Sequence, residues 1–315
     1  MRDKMKIAVL GLGSIGSLVA GMLSSLDSNE IFIHGRGEHI AQIASSGLHI
    51  KGFQAEFVPK EKFIYSIDEA GFNASFDGQT DVVIITCKSY DIVHLLPYAK
   101  RLIKPNSFVL CLSNGLGNCE AIAGEIGEHR TLAGTISHGV NRPKPGEIAW
   151  AGNGVVNLAK FGKNVNETLL QQFIEILQLA NLNPKYNENY QEVIWEKVLI
   201  NIAINPIAAL TGLENGKLLN DDLFDTCVEI MLEGAKVARA ELVKIPDEDI
   251  LIDNLRNVLE KTTHNKCSML QDVRFGKMTE IGSLNQAVLE RAEKYGISLP
   301  RNQLIVQLIT SLTLY

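Results

Sequence analysis

Three polar side chains stand at helical spacing in a largely apolar stretch: Lys197, Asn201 and Asn205, at i, i+4 and i+8. Around them run Val193, Ile194, Trp195, Val198, Leu199, Ile200, Ile202, Ala203 and Ile204, so a helix here is buried over most of its circumference. An amide buried without a partner costs about 1–3 kcal/mol and an isolated ammonium costs more. The stripe therefore predicts a polar cleft along one side of the helix. A lysine there can stabilise an alkoxide developing at a carbonyl and then donate a proton to it. Amides can hold a carboxylate or hydroxyl without adding charge. Reduction of a 2-oxo acid needs these groups. The plainer alternative has the amides tied to neighbouring loops and the lysine stem lying over apolar surface.

Such a reduction needs a hydride source, and the chain opens with one place to bind it. Gly11-Leu12-Gly13-Ser14-Ile15-Gly16 fits G-x-G-x-x-G. It follows a short apolar run (Lys6 to Leu10) and opens a helical pattern of Ile15, Leu18, Val19, Met22 and Leu23. In that setting the first glycine makes a tight turn, the second admits a pyrophosphate and the third lets helix and strand pack closely. Without a ligand the same residues would be an ordinary strand-to-helix turn. About 20 residues on, an NAD site wants an acid for the ribose hydroxyls. This chain has His34-Gly35-Arg36-Gly37, with no acid until Glu38. Arg36 is placed to hold a 2′-phosphate, and Lys88, just past a strand ending at Thr86, offers a second positive charge. The expected cofactor is accordingly NADPH/NADP+, against the alternative that both cations are solvated surface residues.

Further polar residues are less informative singly. Asn114, in Ser113-Asn114-Gly115-Leu116-Gly117, follows another strand at the end where ligands bind in open α/β sheets. Asn265, Ser268 and Glu280 punctuate a helical region, and a carboxylate beside Lys197 would help keep it charged. The seven histidines show no metal-ligand spacing, so no metal is expected. His138, in a Gly-flanked loop, is the rival proton donor. There is no G-x-S-x-G elbow and no phosphate-binding Walker loop.

The elements that must position these residues divide the chain in two. Apolar runs at Lys6–Leu10, Ile31–His34, Asp81–Thr86 and Ser107–Leu112 alternate with helical patterns, as in a doubly wound α/β domain. Between Gly134 and Gly162, prolines and glycines separate short strands, read as a hairpin region closing the sheet. From Glu188 the pattern is helical, with stretches around 190–210, 222–243, 248–262, 268–294 and 301–313. The predicted fold is α/β, an N-terminal Rossmann domain (1–187) followed by a C-terminal all-α domain (188–315), with the active site in the cleft between them.

Composition bounds the rest. A chain of 315 residues, 46% hydrophobic and 21% charged, is long enough for two domains with real cores. A net charge of -6 argues against nucleic acid or anionic membrane as partner. Five scattered cysteines without a CxxC pair read as reduced thiols. The start Met1-Arg2-Asp3-Lys4 does not read as a signal peptide, and no apolar run approaches the roughly 20 residues of a membrane span. The expected location is cytoplasmic, which makes the sequons at Asn73 and Asn166 chance matches. The expected partner is a small-molecule 2-oxo acid, with a homodimer left open.

Order and spacing together carry a resemblance. Gly11 to Gly16, Cys87-Lys88-Ser89, Ser113 to Gly117, Trp195-Glu196-Lys197 with Asn201 and Asn205-Pro206, Glu214-Asn215-Gly216, and Ser268 to Asp272 through Thr279-Glu280-Ile281 resemble the ketopantoate reductase (2-dehydropantoate 2-reductase) family. The resemblance spans nearly the whole chain. It implies that Lys197 is the general acid and that Asn114 lies at nicotinamide and substrate. It implies substrate contacts from Asn201, Asn205, Asn215 and Ser268, with Asn265 a weaker match, and a Glu280 that contacts cofactor and supports the lysine. Val140 falls where the family touches cofactor through its backbone. The implied reaction is NADPH-dependent reduction of ketopantoate to pantoate, on the route to pantothenate and coenzyme A. Gly282 and Gln286 depart from the family's usual Asp and Gly, which keeps open a paralogue that reduces another branched or aromatic 2-oxo acid. A non-catalytic NADP(H)-binding regulator is the third reading; the intact Lys197, Asn201, Asn205 stripe speaks against it.

Overall fold

The computed structural model describes residues 4–312. Met1 to Asp3, and Thr313 at the end of the last expected helix, lie outside the described residues. Two compact units are present: residues up to Ser113 with Asn118–Val193, and Asn114–Gly117 with Ile194 onward. The division falls inside a helix at 193/194, six residues beyond the boundary expected from sequence, and gives a four-residue loop of the first half to the second unit.

The first unit holds strands β1 (Met5–Leu10), β2 (Asn29–Gly35), β3 (Leu48–Gly52), β4 (Glu56–Val58), β5 (Phe63–Ile67), β6 (Thr80–Ile85), β7 (Ile103–Cys111), β8 (Thr131–Ile136), β9 (Gly139–Lys144), β10 (Glu147–Gly152), β11 (Val156–Lys160) and β12 (Pro184–Asn187). Its helices are α1 (Ser14–Ser24), α2 (Gly37–Ser46), α3 (Ile92–Leu102), α4 (Asn118–Ile126) and α5 (Glu167–Leu179). Eight strands form one sheet in the order β12-β11-β8-β7-β6-β1-β2-β5. Every neighbouring pair in it is parallel except β8 with β11. Residues Ile7 to Leu10 of β1 and Val82 to Ile85 of β6 have no exposed surface, as central parallel strands covered by helices on both faces require. The chain moves outward from β1 to β2 on one side and returns to β6 on the other. The order therefore reverses between β1 and β6, and a crevice opens beyond their carboxyl ends.

The hairpin expected to close this sheet does something else. β9 and β10 pair with each other and, through β10, with β3, in a separate four-stranded sheet ordered β4-β3-β10-β9. Only β8 and β11 of that region join the main sheet.

Helix α6 (Tyr190–Thr211) enters the second unit, which continues with α7 (Asp221–Ala240), α8 (Glu248–Lys261), α9 (Ser268–Arg274), α10 (Ala287–Glu293) and α11 (Pro300–Leu312). α6 is the core helix. A Cβ added at Gly234 of α7 would lie 2.5 Å from Ile202 Cδ1, so the glycine is what lets α7 approach so closely. The helix expected to run unbroken over 268–294 is interrupted. α9 stops at Arg274, Gly276 takes a φ of +60° that favours glycine, and a π-helical turn at Gly282–Gln286 precedes α10. The segment carrying Thr279 and Glu280 lies in that interruption.

Candidate active site

The glycine loop leaves β1 at the β1/β6 reversal. Gly11 has φ +97°, and a Cβ there would lie 2.8 Å from the Cys87 backbone N. A Cβ on Gly16 would come within 2.3 Å of the Gly11 carbonyl oxygen and 2.5 Å of Thr86 Oγ1. Thr86 Oγ1 donates to that same carbonyl at 2.7 Å, so the turn is locked to β6. Gly13 differs: nothing lies within 4 Å of where its Cβ would be. Gly13 is also the N-cap of α1 and gives it no side-chain cap. Leu12 is buried and Ile15 packs on the core, leaving Ser14 to begin the helix. Open space before an uncapped helix N-terminus fits a pyrophosphate.

Arg36 is the N-cap of α2, and its largely exposed guanidinium donates to Asp91 Oδ2 at 2.9 Å. Lys88 is the N-cap of the short 3-10 turn Ser89–Asp91. The two cations read from sequence thus belong to one corner, joined through Asp91. Sequence reasoning missed Asp91, and it missed Glu69, whose Oε1 accepts from Gly37 N at 2.7 Å. Val140 lies on β9 opposite Trp150 and packs against the core. Burial pushes the thiol of Cys87, beside the glycine turn, up to about 12.

His138 is excluded as a rival acid by its partners. Its Nδ1 accepts from Gly154 N at 2.9 Å, which places the ring proton on Nε2, bonded to the Leu182 carbonyl at 3.1 Å. Both ring nitrogens are engaged by backbone, and burial lowers the pKa.

In the second unit, Lys197, Asn201 and Asn205 share one face of α6 as their spacing requires. Lys197 is half-buried, and burial lowers its ammonium to about 8 while the charge of Glu280 works in the opposite direction. Glu280 is 4% exposed. Its Oε2 accepts from Asn114 Nδ2 at 3.3 Å. Ser283, not anticipated from sequence, clamps the same loop: its carbonyl accepts from Leu116 N at 2.8 Å and its Oγ donates to the Asn114 carbonyl at 3.3 Å. The structure thus brings Lys197, Glu280 and Asn114 into one constellation from three distant places in the sequence.

The remaining amides form a neighbouring group. Asn215, 6% exposed, sits in the 3-10 turn Asn215–Leu219 and donates from its backbone N to the Asn265 carbonyl at 2.9 Å. Its Nδ2 donates to Thr262 Oγ1, while its buried Oδ1 has no hydrogen-bond partner in the chain. Asn265 itself is exposed, and so is Ser268 at the start of α9. Cys267, next to Ser268, donates through its Sγ to the Asn205 carbonyl at 3.6 Å. Among the described residues there is no group of His, Cys, Asp or Glu arranged to hold a metal ion.

Models of two family regions match the chain: "Ketopantoate reductase PanE/ApbA" over residues 7–163 and its C-terminal region over residues 189–313. The chain belongs to the ketopantoate reductase family. Among its relatives is a 2-dehydropantoate 2-reductase of Pyrococcus horikoshii, 35% identical over 308 residues, which cover 97% of this chain and 96% of the other. A ketopantoate reductase family structure from Ralstonia eutropha JMP134 superposes with a TM-score of 0.86 at 25% identity, covering 98% of both chains. D-mandelate dehydrogenase, solved with NADH and anilino(oxo)acetate, superposes with a TM-score of 0.88 at 24% identity over 98% of both, a likeness of fold alone. The ketopantoate reductases are NAD(P)-dependent, and this chain is an oxidoreductase of that family with a Rossmann domain and a helical C-terminal region.

Proposed function

We propose that this enzyme reduces ketopantoate to pantoate with NADPH, in the cytoplasm, on the route to pantothenate and coenzyme A. The Lys197, Glu280, Asn114 constellation is the observation that carries the reading. A bound nicotinamide supplies the hydride that adds to the C2 carbonyl carbon. Lys197 Nζ stabilises the oxygen as negative charge develops there and then gives it a proton, leaving a neutral amine that is reprotonated from water. Glu280 keeps the half-buried ammonium charged until that moment and orients the Asn114 amide toward the reacting group. Asn201 and Asn205 hold the substrate carboxylate, with Ser268 and Asn265 at the edge of the site. Gly11 to Gly16 cradle the pyrophosphate, Val140 touches the cofactor through its backbone, and Arg36 with Lys88 takes the 2′-phosphate.

The Asn215 Oδ1 supports the substrate's name. A buried acceptor without a donor costs about 1–3 kcal/mol, and the terminal hydroxyl of ketopantoate is a donor that would remove this cost. A site built to bond a hydroxyl rejects an analogue lacking it by up to roughly 10⁴-fold. The experiment is NADPH oxidation over a panel of 2-oxo acids. The expected result is a steep fall in kcat/KM from ketopantoate to 2-oxoisovalerate, which keeps the branched carbon but lacks the hydroxyl. Comparable values for the two, or a better rate with an aromatic 2-oxo acid, would transfer the enzyme to a different substrate.

A further inference from the structure

Pro206 sits inside α6, one residue beyond the Lys197, Asn201, Asn205 stripe. Proline has no N–H, so the carbonyl four residues earlier, that of Ile202, loses its helical donor. Ile202 is fully buried, and no water can compensate. The donor comes instead from Asn285, 83 residues on, whose Nδ2 reaches the Ile202 carbonyl at 3.0 Å.

Asn285 is itself fully buried and bonded onward. Its second N–H donates to Asn302 Oδ1 at 3.0 Å. Asn302 in turn donates to Glu233 Oε2 at 2.8 Å and to the Ile230 carbonyl at 3.1 Å. The Glu233 carboxylate also takes the backbone N–H groups of Arg301 and Asn302 at the start of α11. Asn285 Oδ1, by contrast, is buried with no partner. A side chain kept at that cost is retained for its two donors.

Asn285 lies in the π turn Gly282–Gln286, on the same short segment as Glu280 and Ser283. The segment holds Asn114 and Leu116 at one end and the proline-interrupted turn of α6 at the other. We propose that Asn285 is a positioning residue for the reduction, using the carbonyl that Pro206 leaves without a donor to fix Glu280 against the helix that bears Lys197. This inference rests on Lys197 being the proton donor. Glu280 is the charged group facing Lys197, so a loosened segment weakens the interaction that holds the ammonium in its protonated form.

The test separates tying from mere satisfaction of a carbonyl. Asn285→Leu removes both donors, and Pro206→Ala restores a backbone N–H for Ile202. In Asn285→Leu the expected changes are a kcat lowered about tenfold or more and a pH midpoint of the reduction rate about half a unit lower. The double variant Pro206→Ala/Asn285→Leu, whose carbonyl is satisfied within the helix, keeps the fold measurable if the single variant does not express. It should regain the part of Tm lost through the Ile202 carbonyl, though not the part lost at Asn302 Oδ1, and yet retain the low kcat and the shifted midpoint. Recovery of both in the double variant would make Asn285 a structural residue only, as would a kcat and midpoint unmoved in the single one. Lys197→Ala, assayed alongside, reports on the donor itself: a near-normal rate there would sink that assignment, whereas its inactivity beside an unaffected Asn285→Leu would sink this proposal alone.

Discussion

Lys197 works at the balance between two opposing environments. Burial lowers its pKa to about 8, with Glu280 opposing the shift. As the proposed proton donor, Lys197 has to be protonated for ketone reduction. The rate should therefore be level below about pH 8 and fall about tenfold per unit above it. Oxidation of the hydroxy acid needs the neutral amine and should show the opposite slope. A pH profile of kcat in both directions checks the pair, and parallel profiles would remove Lys197 from proton transfer. Lys197→Ala should still bind NADPH while kcat drops about 10²-fold or more. Arg36 is held by Asp91, so a 2′-phosphate has to compete with a carboxylate for it. Its loss should still raise the KM for NADPH roughly 10- to 100-fold, and that for NADH far less. A wild-type enzyme that prefers NADH would overturn the assignment of Arg36.

At the scale of elements, the glycine loop separates two tasks that one motif combines. Gly16 is crowded by Gly11 and Thr86, whereas Gly13 faces open space. Gly13→Ala should leave Tm within a degree or two and weaken dinucleotide binding about tenfold or more, because the new methyl occupies the approach of the pyrophosphate. Gly16→Ala should lower Tm as well, since backbone must move. Titration calorimetry and thermal melts tell these apart, and equal loss of Tm in both would refute the division of roles. The loop was legible in sequence because strand, turn and helix are contiguous. β1, β2, β6 and β7 were legible for a related reason: their central residues, buried on both faces, form short apolar runs. β3 was not, because Leu48-His49-Ile50-Lys51 becomes a strand through pairing with β10, about a hundred residues later. The break at 275–281 was hidden because Thr279-Glu280-Ile281 fits a helical pattern. Only the contact of Glu280 with Asn114, 166 residues away, shows why the chain turns out of it. Spacing could show the face of α6, but not the residues that come to meet it.

At the scale of the whole molecule, two units of different texture share one chain, and the loop 114–117 belongs by its contacts to the later one. The site is thus assembled from pieces made far apart in time. α6 feels this most. Contrary to the expectation that no apolar run approaches a membrane span, its 22 residues could by length and composition cross a bilayer, and most of the helix is buried inside the protein. What packs on it, α7 through Gly234 and the segments around Cys267 and Asn285, is synthesised after it. On the ribosome this long apolar helix emerges before any of them, as a segment a lipid surface or a chaperone would accept. A chain stopped after Leu219 should therefore aggregate or partition onto vesicles, while one stopped at Asn189 should not, as flotation with neutral liposomes would measure. Equal behaviour of the two would show that the uncovered helix is no hazard. If they differ, the order of synthesis sets a race: Asn285, Asn302 and Glu233 must be translated before the turn at Pro206 is secured, and slow elongation through the last hundred codons should cost yield even where every finished molecule is stable.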